Sequence, residues 1–405
     1  MNKKKIFNDP VYGFINIPYN IIFDLIEHPY FQRLRRIKQL GLTDHVYPGA
    51  LHTRFHHALG AMHLMTQAID VLRSKGVAIS NKEAKAAAIA ILLHDIGHGP
   101  FSHVLEHTLV NIHHEEISLF FMEELNKAFK GKLTTAIQIF KNEYPKPFLH
   151  QLVSGQLDMD RMDYLTRDSF FTGVYEGVIG YDRIIKMLSV KDGNLVVEHK
   201  GIYSIEKFLI ARRLMYWQVY LHKTVVASEQ MLVKVLTRAK ELAEQQQQLN
   251  ISDNLAYFLY NSPNKPFKKG EKKILLKHFA LLDDYDIYSA LKSFVNSDDF
   301  FLSFLSKSLL NRNLFKIEFS NKPFKSDYLN NIRQRIKEKF PVNKQSAKQL
   351  IITGKESNTV YTVSKEEILI LLKDNNAVPM STISDFGLQN TNITKYYLCY
   401  PKNIS

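Results

Sequence analysis

The stretch LLHDIGHGPFSH, residues 92–103, places three histidines and one aspartate beside two glycines and a proline. It follows a segment in which Ser80 and Glu83 have capping-box spacing and strong helix formers run up to the first histidine. The sequence therefore predicts a helix that leads into the polar cluster. If that helix continued, His94 and His98 would share one face, because residues four apart do so.

The residue types of this cluster are those of a metal site. Imidazole and carboxylate together suit a divalent ion, which can help to generate a nucleophile from water. His94 and Asp95 are too few ligands, so others must come from elsewhere in the chain. The candidates lie in HTRFHHALG (52–60), NIHHEE (111–116) and QLDMDRMDYLTRD (156–168). Taken singly, each such residue is more often an ordinary surface or capping residue, but their number favours a shared site.

Composition limits the function classes. The chain has 405 residues and a formal net charge of +13, which favours an anionic partner such as a nucleotide, a nucleic acid or an acidic surface. Simple solubility is the alternative. Cys399 is the single cysteine, which excludes an intramolecular disulfide and a thiolate cluster for zinc. No run of about 18 apolar residues occurs, so we expect a cytoplasmic protein without a membrane partner.

The chain changes character towards its C-terminus. The first 240 residues have apolar residues at three- and four-residue spacing, which is typical of helices. From about Asn313, β-rich runs appear in LFKIEF, QLIIT, TVYTV and YYLCY, around KEEILILLK, which is predicted to be helical. We therefore expect a mainly α fold, with an all-helical core and accessory helices over 1–312 and a smaller C-terminal α+β lobe over 313–405.

The order of His57, His94, Asp95 and Asp160 resembles the H…HD…D signature of HD-domain metallophosphohydrolases. The likeness is closer to the deoxynucleoside triphosphate triphosphohydrolase branch of that family. It covers most of residues 5–223, through IFNDPVYG, FQRLRRIKQLG, YPGALHTRFHHALG, LLHDIGHGPFSH, DMDRMDYLTRD and ARRLMYWQVYLHK, and it reappears at RNLFK. So many independent motifs make chance improbable, and the resemblance implies that the helical core is an HD domain.

The resemblance implies roles for the residues at the metal. The ligands of one catalytic divalent ion would be His57, His94, Asp95 and Asp160. The catalytic set beside the α-phosphate would be the imidazoles of His98 and His114, oriented or tuned by Glu115 and Glu106. A histidine near its pKa at neutral pH can exchange a proton while a carboxylate fixes its tautomer. For His114, the alternative is a solvent-exposed helix residue.

Substrate contacts are implied in the same way. A triphosphate carries about four negative charges and needs several cations, which would be Arg54, His103, Arg161 and Arg212. A member of the family has Lys at position 161, so Arg161 keeps the charge and changes the reach. The deoxyribose would be bound by Gln39, Tyr164 and Asp168, with Leu40 in the wall at C2′ and Tyr220 near the base. The two tyrosines could equally be core aromatics.

A second, regulatory nucleotide site is also implied. In a member of this branch, the matching positions bind an activating guanine nucleotide, GTP or dGTP, between subunits. Here they are Lys5, Glu27, Gln32, Arg35 and Arg312. Glu27 replaces an aspartate and keeps a carboxylate that can accept from the guanine edge. The alternative is an amphipathic helix with solvated arginines. The resemblance implies a homodimer or homotetramer.

The sequence is best explained by metal-dependent hydrolysis of dNTPs to deoxynucleoside and tripolyphosphate. The ion could be Mn, Fe, Mg, Zn or Ni, and an additional Mg could accompany the nucleotide. One alternative is an HD phosphohydrolase or phosphodiesterase acting on a monophosphate, a cyclic nucleotide or a guanosine alarmone. Another is a nucleic-acid-binding or nucleotide-sensing module with a structural metal. Nucleic acid is a secondary expectation as partner, and a salt-sensitive affinity that survives loss of Asp95 would favour it.

Overall fold

The chain is mainly helical, as the sequence predicts. The computed structural model describes residues 5–101, 103–261, 263, 267, 270–342, 346–358, 367–385 and 393–404, without the side chains of His103, His107 and Asn358. The described helices are α1 (Asn20–Glu27), α2 (Pro29–Gln32), α3 (Arg54–Ser74), α4 (Asn81–Leu93), α5 (His103–Thr108), α6 (His114–Ala128), α7 (Thr134–Phe140), α8 (Pro147–Gln151), α9 (Met159–Thr172), α10 (Tyr181–Met187), α11 (Ile202–Met215), α12 (Lys223–Glu244), α13 (Asp253–Asn261), α14 (Glu271–Phe279), α15 (Asp284–Phe294), α16 (Phe300–Leu310) and α17 (Ser326–Lys339). The described strands are β1 (Ile6–Asp9), β2 (Gly13–Asn16), β3 (Leu188–Lys191), β4 (Asn194–Glu198), β5 (Lys316–Ser320), β6 (Ile352–Asn358), β7 (Leu369–Leu371), β8 (Ala377–Pro379) and β9 (Ile393–Tyr400). None of the helices in this part of the chain is long and apolar enough to cross a membrane.

Helix α4 forms where its sequence predicts it. The Ser80 hydroxyl accepts from the backbone N–H of Glu83, and the Glu83 carboxylate accepts from the N–H of Ser80 at 2.7 Å, so the capping box is present. The helix ends at Leu93, and residues 94–97 form a turn, because two glycines and a proline follow. The helix therefore does not continue through the cluster, and its first two histidines do not share a helix face.

Helices α3 and α9 pack against each other, and α3 also packs against α4. Helix α3 begins after Thr53, which forms a capping box with His56. Helix α9 begins after Asp158, which accepts from the N–H of Arg161 at 2.7 Å, and it ends at Gly173, whose φ of 72° suits glycine. These caps fix the starts of α3 and α9 close to the end of α4.

The described strands form small sheets. Strands β1 and β2 form an antiparallel hairpin, and the other two sheets have the strand orders β3-β4-β7-β8 and β5-β9-β6. Strand β4 runs parallel to β7, with Val196 opposite Leu369. A strand from the expected core thus pairs with a strand from the expected lobe. The division at residues 312 and 313 stays a prediction.

The expectation of a helix in KEEILILLK is wrong for the residues that the structure describes there. Leu369–Leu371 form β7, and Ile370 is fully buried. A short apolar run fits a buried strand as well as a helix, and pairing with β4 on one side and β8 on the other selects the strand. LFKIEF, QLIIT and YYLCY contribute to β5, β6 and β9, whereas TVYTV lies outside the described residues.

Glu83→Gln should remove a pH-dependent part of the stability. Burial raises the pKa of the Glu83 carboxyl, but Lys146 and Ser80 more than offset this and lower it to about 2, from an ordinary value of 4.5. Because the folded pKa is the lower one, the contribution is complete above about pH 4.5 and is lost as the pH falls towards 2. In urea unfolding, the wild type should have a higher free energy of unfolding than Glu83→Gln at pH 7, and the difference should decrease below pH 4.5. The exposed Glu244, changed to Gln, is the control, and a pH-independent difference for Glu83 would contradict the prediction.

Candidate metal centre and active site

Three helix ends bring His57, His94 and Asp160 together. His57 lies on α3, His94 follows α4, and Asp160 lies in the first turn of α9. Asp160 Oδ1 is 3.2 Å from His57 Nε2 and 3.5 Å from His94 Nε2, and the two Nε2 atoms are 3.4 Å apart. Imidazole and carboxylate atoms at such spacing can hold one divalent ion.

Asp95 faces the same nitrogen atoms. Its Oδ1 is 3.3 Å from His94 Nε2, and its Oδ2 is 3.7 Å from His57 Nε2 and accepts from Arg54 Nη1. Burial raises the pKa of the Asp95 carboxyl, but the surrounding histidines and Arg54 hold it well below its ordinary value. The four residues expected at the metal therefore converge. Which of them bind it stays a prediction.

The other ring nitrogens of both histidines are taken by protein groups. His57 Nδ1 donates to Asp163 Oδ2 at 2.8 Å, and His94 Nδ1 donates to the carbonyl oxygen of Ile91 at 2.6 Å. An imidazole that donates from Nδ1 can present its Nε2 lone pair to a metal. Burial lowers the pKa of His57, but Asp160 and Asp163 overcome this and raise it to about 10, so a metal would compete with a proton for Nε2. The orientation of the two imidazole rings thus supports metal binding by His57 and His94, in addition to the distances between their atoms.

Asp163 links this centre to the N-terminal hairpin. Its Oδ2 accepts from Arg167 Nε at 2.9 Å, and Arg167 Nη1 donates to Asp9 Oδ2 at 2.7 Å. All three side chains are buried. Gly60 leaves the room for them, because a Cβ there would overlap the side chains of Asp163 and Arg167. His57 is therefore oriented by an ion network that extends to β1.

His98 and His114 form a stacked pair beside the metal residues. Their ring centroids are 3.9 Å apart with planes at 18°, and His98 Nε2 is 3.3 Å from Asp95 Oδ1. Burial lowers the pKa of His98 well below its ordinary value. His114 Nδ1 is 3.1 Å from a Glu106 carboxylate oxygen, so Glu106 can fix its tautomer. Glu115 is exposed, and the described residues show no hydrogen bond between it and either histidine.

The turn after α4 is held against α6. The N–H of Gly97 donates to Ser118 Oγ at 2.9 Å, and that hydroxyl donates to the carbonyl of His94 at 2.7 Å. A Cβ at Gly97 would overlap the backbone of His114 and Ser118. Only glycine allows so close an approach, which brings the two stacked histidines together from different elements.

The four cationic side chains expected to bind the triphosphate have different surroundings in the structure. Arg54 reaches the metal residues through its ion pair, and Arg161 is next to Asp160 in α9. Arg212 Nη1 makes a long hydrogen bond to a glutamine oxygen at 3.4 Å. His103 begins α5, and its side chain lies outside the described part of the chain. Arg54 thus lies at the centre, and the Arg161 side chain is paired with Asp158 at the start of α9. Contact of any of the four with phosphate stays a prediction.

Residues expected at the sugar and base meet at the second half of α9. Asp168 Oδ2 accepts from the Tyr220 hydroxyl at 2.8 Å, and Oδ1 is 2.7 Å from His52 Nε2. Tyr164 packs edge to face against Tyr220, with ring centroids 6.0 Å apart. The structure thus joins Asp168, Tyr164 and Tyr220, and it adds His52, which the sequence left without a role.

Gln39 is tied to this group through the backbone, and Leu40 follows it in the chain. The N–H of Gln39 donates to the carbonyl of His52 at 2.9 Å, and Lys38 pairs with Thr53 in an isolated bridge. Leu40 is half-buried against the core. The backbone of Gln39 thus meets that of His52, and the binding roles of Gln39 and Leu40 stay predictions.

The residues expected to bind a regulatory nucleotide are only partly in contact. Arg35 Nε donates to Gln32 Oε1 at 2.8 Å. Lys5 lies 3.0 Å from the centre of an aromatic ring on α1, and Glu27 is exposed at the end of the same helix. Arg312 donates to a backbone carbonyl at 2.8 Å. No contact among the described residues joins Arg312 to the other four.

The chain is similar in sequence and fold to known proteins. The HD domain model matches residues 54–168, and the HD associated region model matches residues 179–262. A solved phosphohydrolase from Bacteroides thetaiotaomicron is 53% identical with a TM-score of 0.93, over 98% of this chain and 100% of that chain. The chain belongs to the HD-domain phosphohydrolase family.

Two curated relatives extend the comparison. An uncharacterised protein of Bacillus subtilis is 32% identical over 291 residues, which cover 70% of this HD-domain chain and 65% of that protein. A Dictyostelium discoideum protein named deoxynucleoside triphosphate triphosphohydrolase SAMHD1 homolog is 30% identical over 297 residues, covering 67% of this chain and 57% of that protein. The matched segments span less than two thirds of both relatives.

Membership of the family agrees with the metal centre. HD domains bind a divalent metal, and in this chain His57, His94 and Asp160 are placed to hold it. The matched HD domain also includes Asp95 and the stacked histidine pair. The identity of the ion stays open among the five metals expected.

Arg33 is a buried residue at this site that sequence reasoning missed. Its Nη2 donates to the carbonyl of His98 at 2.7 Å, Nη1 to that of Ile96 at 3.3 Å, and Nε to that of Leu282 at 2.9 Å. The side chain is fully buried. Arg33 thus holds the turn that follows α4. The segment RLRR gives no signal that separates this arginine from the two exposed arginines beside it.

Arg33→Met should destabilise the protein, because it leaves three buried carbonyl groups without these donors. We expect the free energy of unfolding in urea to fall by about 3 kcal/mol. Arg36→Met is the matched control, because Arg36 pairs with Asp283 but its side chain is 42% exposed, and its loss should cost less than about 1 kcal/mol. Equal losses in the two variants would contradict the role given to Arg33.

Proposed function

We propose that this HD-domain phosphohydrolase cleaves dNTPs into deoxynucleoside and tripolyphosphate. The observation that carries the proposal is the spacing of Asp160, Tyr164 and Asp168, which lie four residues apart on α9 and so share one face. Asp160 is at the metal residues, and Asp168 is in the group with Tyr220. This face offers a candidate metal ligand at one end and hydrogen-bonding and aromatic groups for a nucleoside at the other.

Charge and a relative support a nucleoside triphosphate as the substrate. The net charge of +13 favours an anionic ligand. Arg54 pairs with Asp95 beside the metal residues, and Arg161 lies next to Asp160 in α9, so we expect both to contact the phosphates. The name of the Dictyostelium relative describes the same activity for that protein.

The chemistry follows from the residues at the centre. A divalent ion there would polarise an α-phosphate oxygen and favour deprotonation of the attacking water. Attack at the α-phosphorus forms a bond to the water oxygen and breaks the bond to the 5′-oxygen of the sugar. Arg54, Arg161 and Arg212 would offset the charge that develops on the phosphate oxygens. The water proton is released and the 5′-oxygen gains one, so the products are deoxynucleoside and tripolyphosphate.

The stacked histidines are placed to supply the proton to the leaving oxygen. Glu106 accepts from Nδ1 of His114, so Nε2 is the atom of that ring that can exchange a proton with substrate. His98 shares the stack and contacts Asp95. Both imidazoles belong to the proposed catalytic set, and we propose that one of the two is the general acid.

Product analysis tests the proposal. Purified protein is incubated with Mn²⁺ or Mg²⁺ and each dNTP, with and without GTP, and the phosphate products are separated by ion exchange. We expect tripolyphosphate and free deoxynucleoside. Asp95→Ala should lose hydrolysis and metal binding together, because it removes a carboxylate that faces both metal histidines. Turnover retained in that variant would refute the site assignment.

Other outcomes of the product analysis would favour the alternative functions. Hydrolysis of a monophosphate, a cyclic nucleotide or a guanosine alarmone instead of dNTPs would keep the HD centre and change the substrate class. Salt-sensitive nucleic-acid binding that is unaffected by Asp95→Ala, without hydrolysis, would favour a binding or sensing module.

We also propose that GTP or dGTP activates the enzyme in a homodimer or homotetramer, through Lys5, Glu27, Gln32, Arg35 and Arg312. The contact of Arg35 with Gln32 supports a shared site for the N-terminal residues. Arg312 contacts a different part of the fold, which agrees with a site completed by a second subunit.

Arg35→Ala should reduce activation by GTP or dGTP, because it removes a cation expected at the effector phosphates. A decrease of about tenfold in the activation ratio is expected for a charge-assisted contact, with unchanged metal content. Dose–response curves of dNTP hydrolysis against GTP measure it. The exposed Arg183, changed to Ala, is the control, and activation unchanged in Arg35→Ala would remove the regulatory site.

A further inference from the structure

We infer that His52 is a positioning residue for sugar selectivity, which it sets by fixing the orientation of the Asp168 carboxylate. The inference rests on the proposed function, because it concerns recognition of the sugar of a dNTP. His52 was found in the sequence only as one histidine of HTRFHHALG, and nothing in the metal centre or the stacked histidine pair uses it.

His52 is enclosed on every side that the structure describes. Its side chain is 0% exposed and that of Asp168 is 2% exposed, with 2.7 Å between Nε2 and Oδ1. The imidazole stacks on Phe171, with ring centroids 4.5 Å apart and planes at 16°. His52 therefore acts on substrate only through its neighbours.

The hydrogen bonds assign the tautomer of His52. Nδ1 is buried and has no hydrogen-bond partner among the described groups. An N–H on Nδ1 would be a buried donor without an acceptor, which costs more than an unused lone pair in a ring. The proton therefore lies on Nε2, and His52 donates to Asp168.

Asp168 is held from both sides. Oδ1 accepts from His52, and Oδ2 accepts from the Tyr220 hydroxyl at 2.8 Å. An ionised carboxylate has about four acceptor positions, so two remain for a sugar hydroxyl after these bonds form. With both oxygens pinned, the remaining positions have a fixed direction relative to α9.

His52 also places a second residue of the expected sugar site. Its carbonyl accepts from the N–H of Gln39 at 2.9 Å. One residue thus sets Asp168 through its side chain and Gln39 through its backbone. Recognition of a 3′-hydroxyl by these two groups depends on their separation, which His52 defines.

The side-chain donor is tested by His52→Phe, which keeps an aromatic ring on Phe171 and removes the N–H. The measurement is kcat/KM for a dNTP and for the matching 2′,3′-dideoxynucleoside triphosphate. We expect the preference for the dNTP to fall about tenfold, which corresponds to 1.4 kcal/mol, with metal content unchanged. His52→Gln should restore part of the preference, because its amide can donate to Asp168.

His278→Phe is the matched control. His278 stacks on Tyr257 in the same way, with centroids 4.3 Å apart and planes at 10°, but lies on α14 outside the site. Its variant should keep the wild-type preference. If His52→Phe lowered kcat/KM equally for both substrates, the inference would be overturned, because loss of a purely structural histidine would have that effect. A wild type that does not distinguish the two sugars would overturn it as well, whereas a wild type that hydrolyses no dNTP would refute the proposed function itself.

Discussion

The hydrogen bonds that His57 and His94 donate from Nδ1 are the constraint on which the metal centre depends. They turn both Nε2 atoms towards Asp160, within 3.2 and 3.5 Å of one carboxylate oxygen. The acceptor for His94 is the carbonyl of Ile91, which belongs to the last turn of α4 and has no partner within the helix. The same bond therefore satisfies the helix end and orients a metal residue.

Asp163, which accepts the hydrogen bond from His57, is a charged residue buried in the core. Asp163, Arg167 and Asp9 form an ion network that is buried throughout. Taking such charges out of water costs free energy that their attraction often fails to recover. The network is therefore better explained by the geometry it imposes on His57 than by stability. It also makes the N-terminal hairpin part of the support of the metal centre, although β1 lies far from it in sequence.

Contacts between residues close in the chain could be predicted from the sequence, whereas most contacts between residues far apart in the chain could not. The α4 capping box joins residues three apart and is legible in the sequence. The metal residues come from three segments and were identified through the resemblance in their order, since spacing alone left their partners open. Strand β7 pairs with β4 from more than 170 residues away, and its apolar run also fits a helix. Arg33 and His52 contact groups 65 and 116 residues distant, and no local pattern marks either of them.

The centre combines helix ends of opposite polarity. Helix α4 directs its C-terminus, with partial negative charge, at the metal residues, which favours a cation there. Helix α9 begins at the same point, and its N-terminal N–H groups favour anions such as the Asp160 carboxylate or a substrate phosphate. Along α9, Asp168 lies two turns beyond Asp160, about 12 Å in helix rise, and this spacing is fixed by backbone hydrogen bonds. The turn that leads to His98 has fewer backbone hydrogen bonds than a helix, and Arg33 and Ser118 hold it through their side chains. Rigid helix geometry thus separates Asp160 from the group around Asp168, while hydrogen bonds to the turn hold His98 beside Asp95.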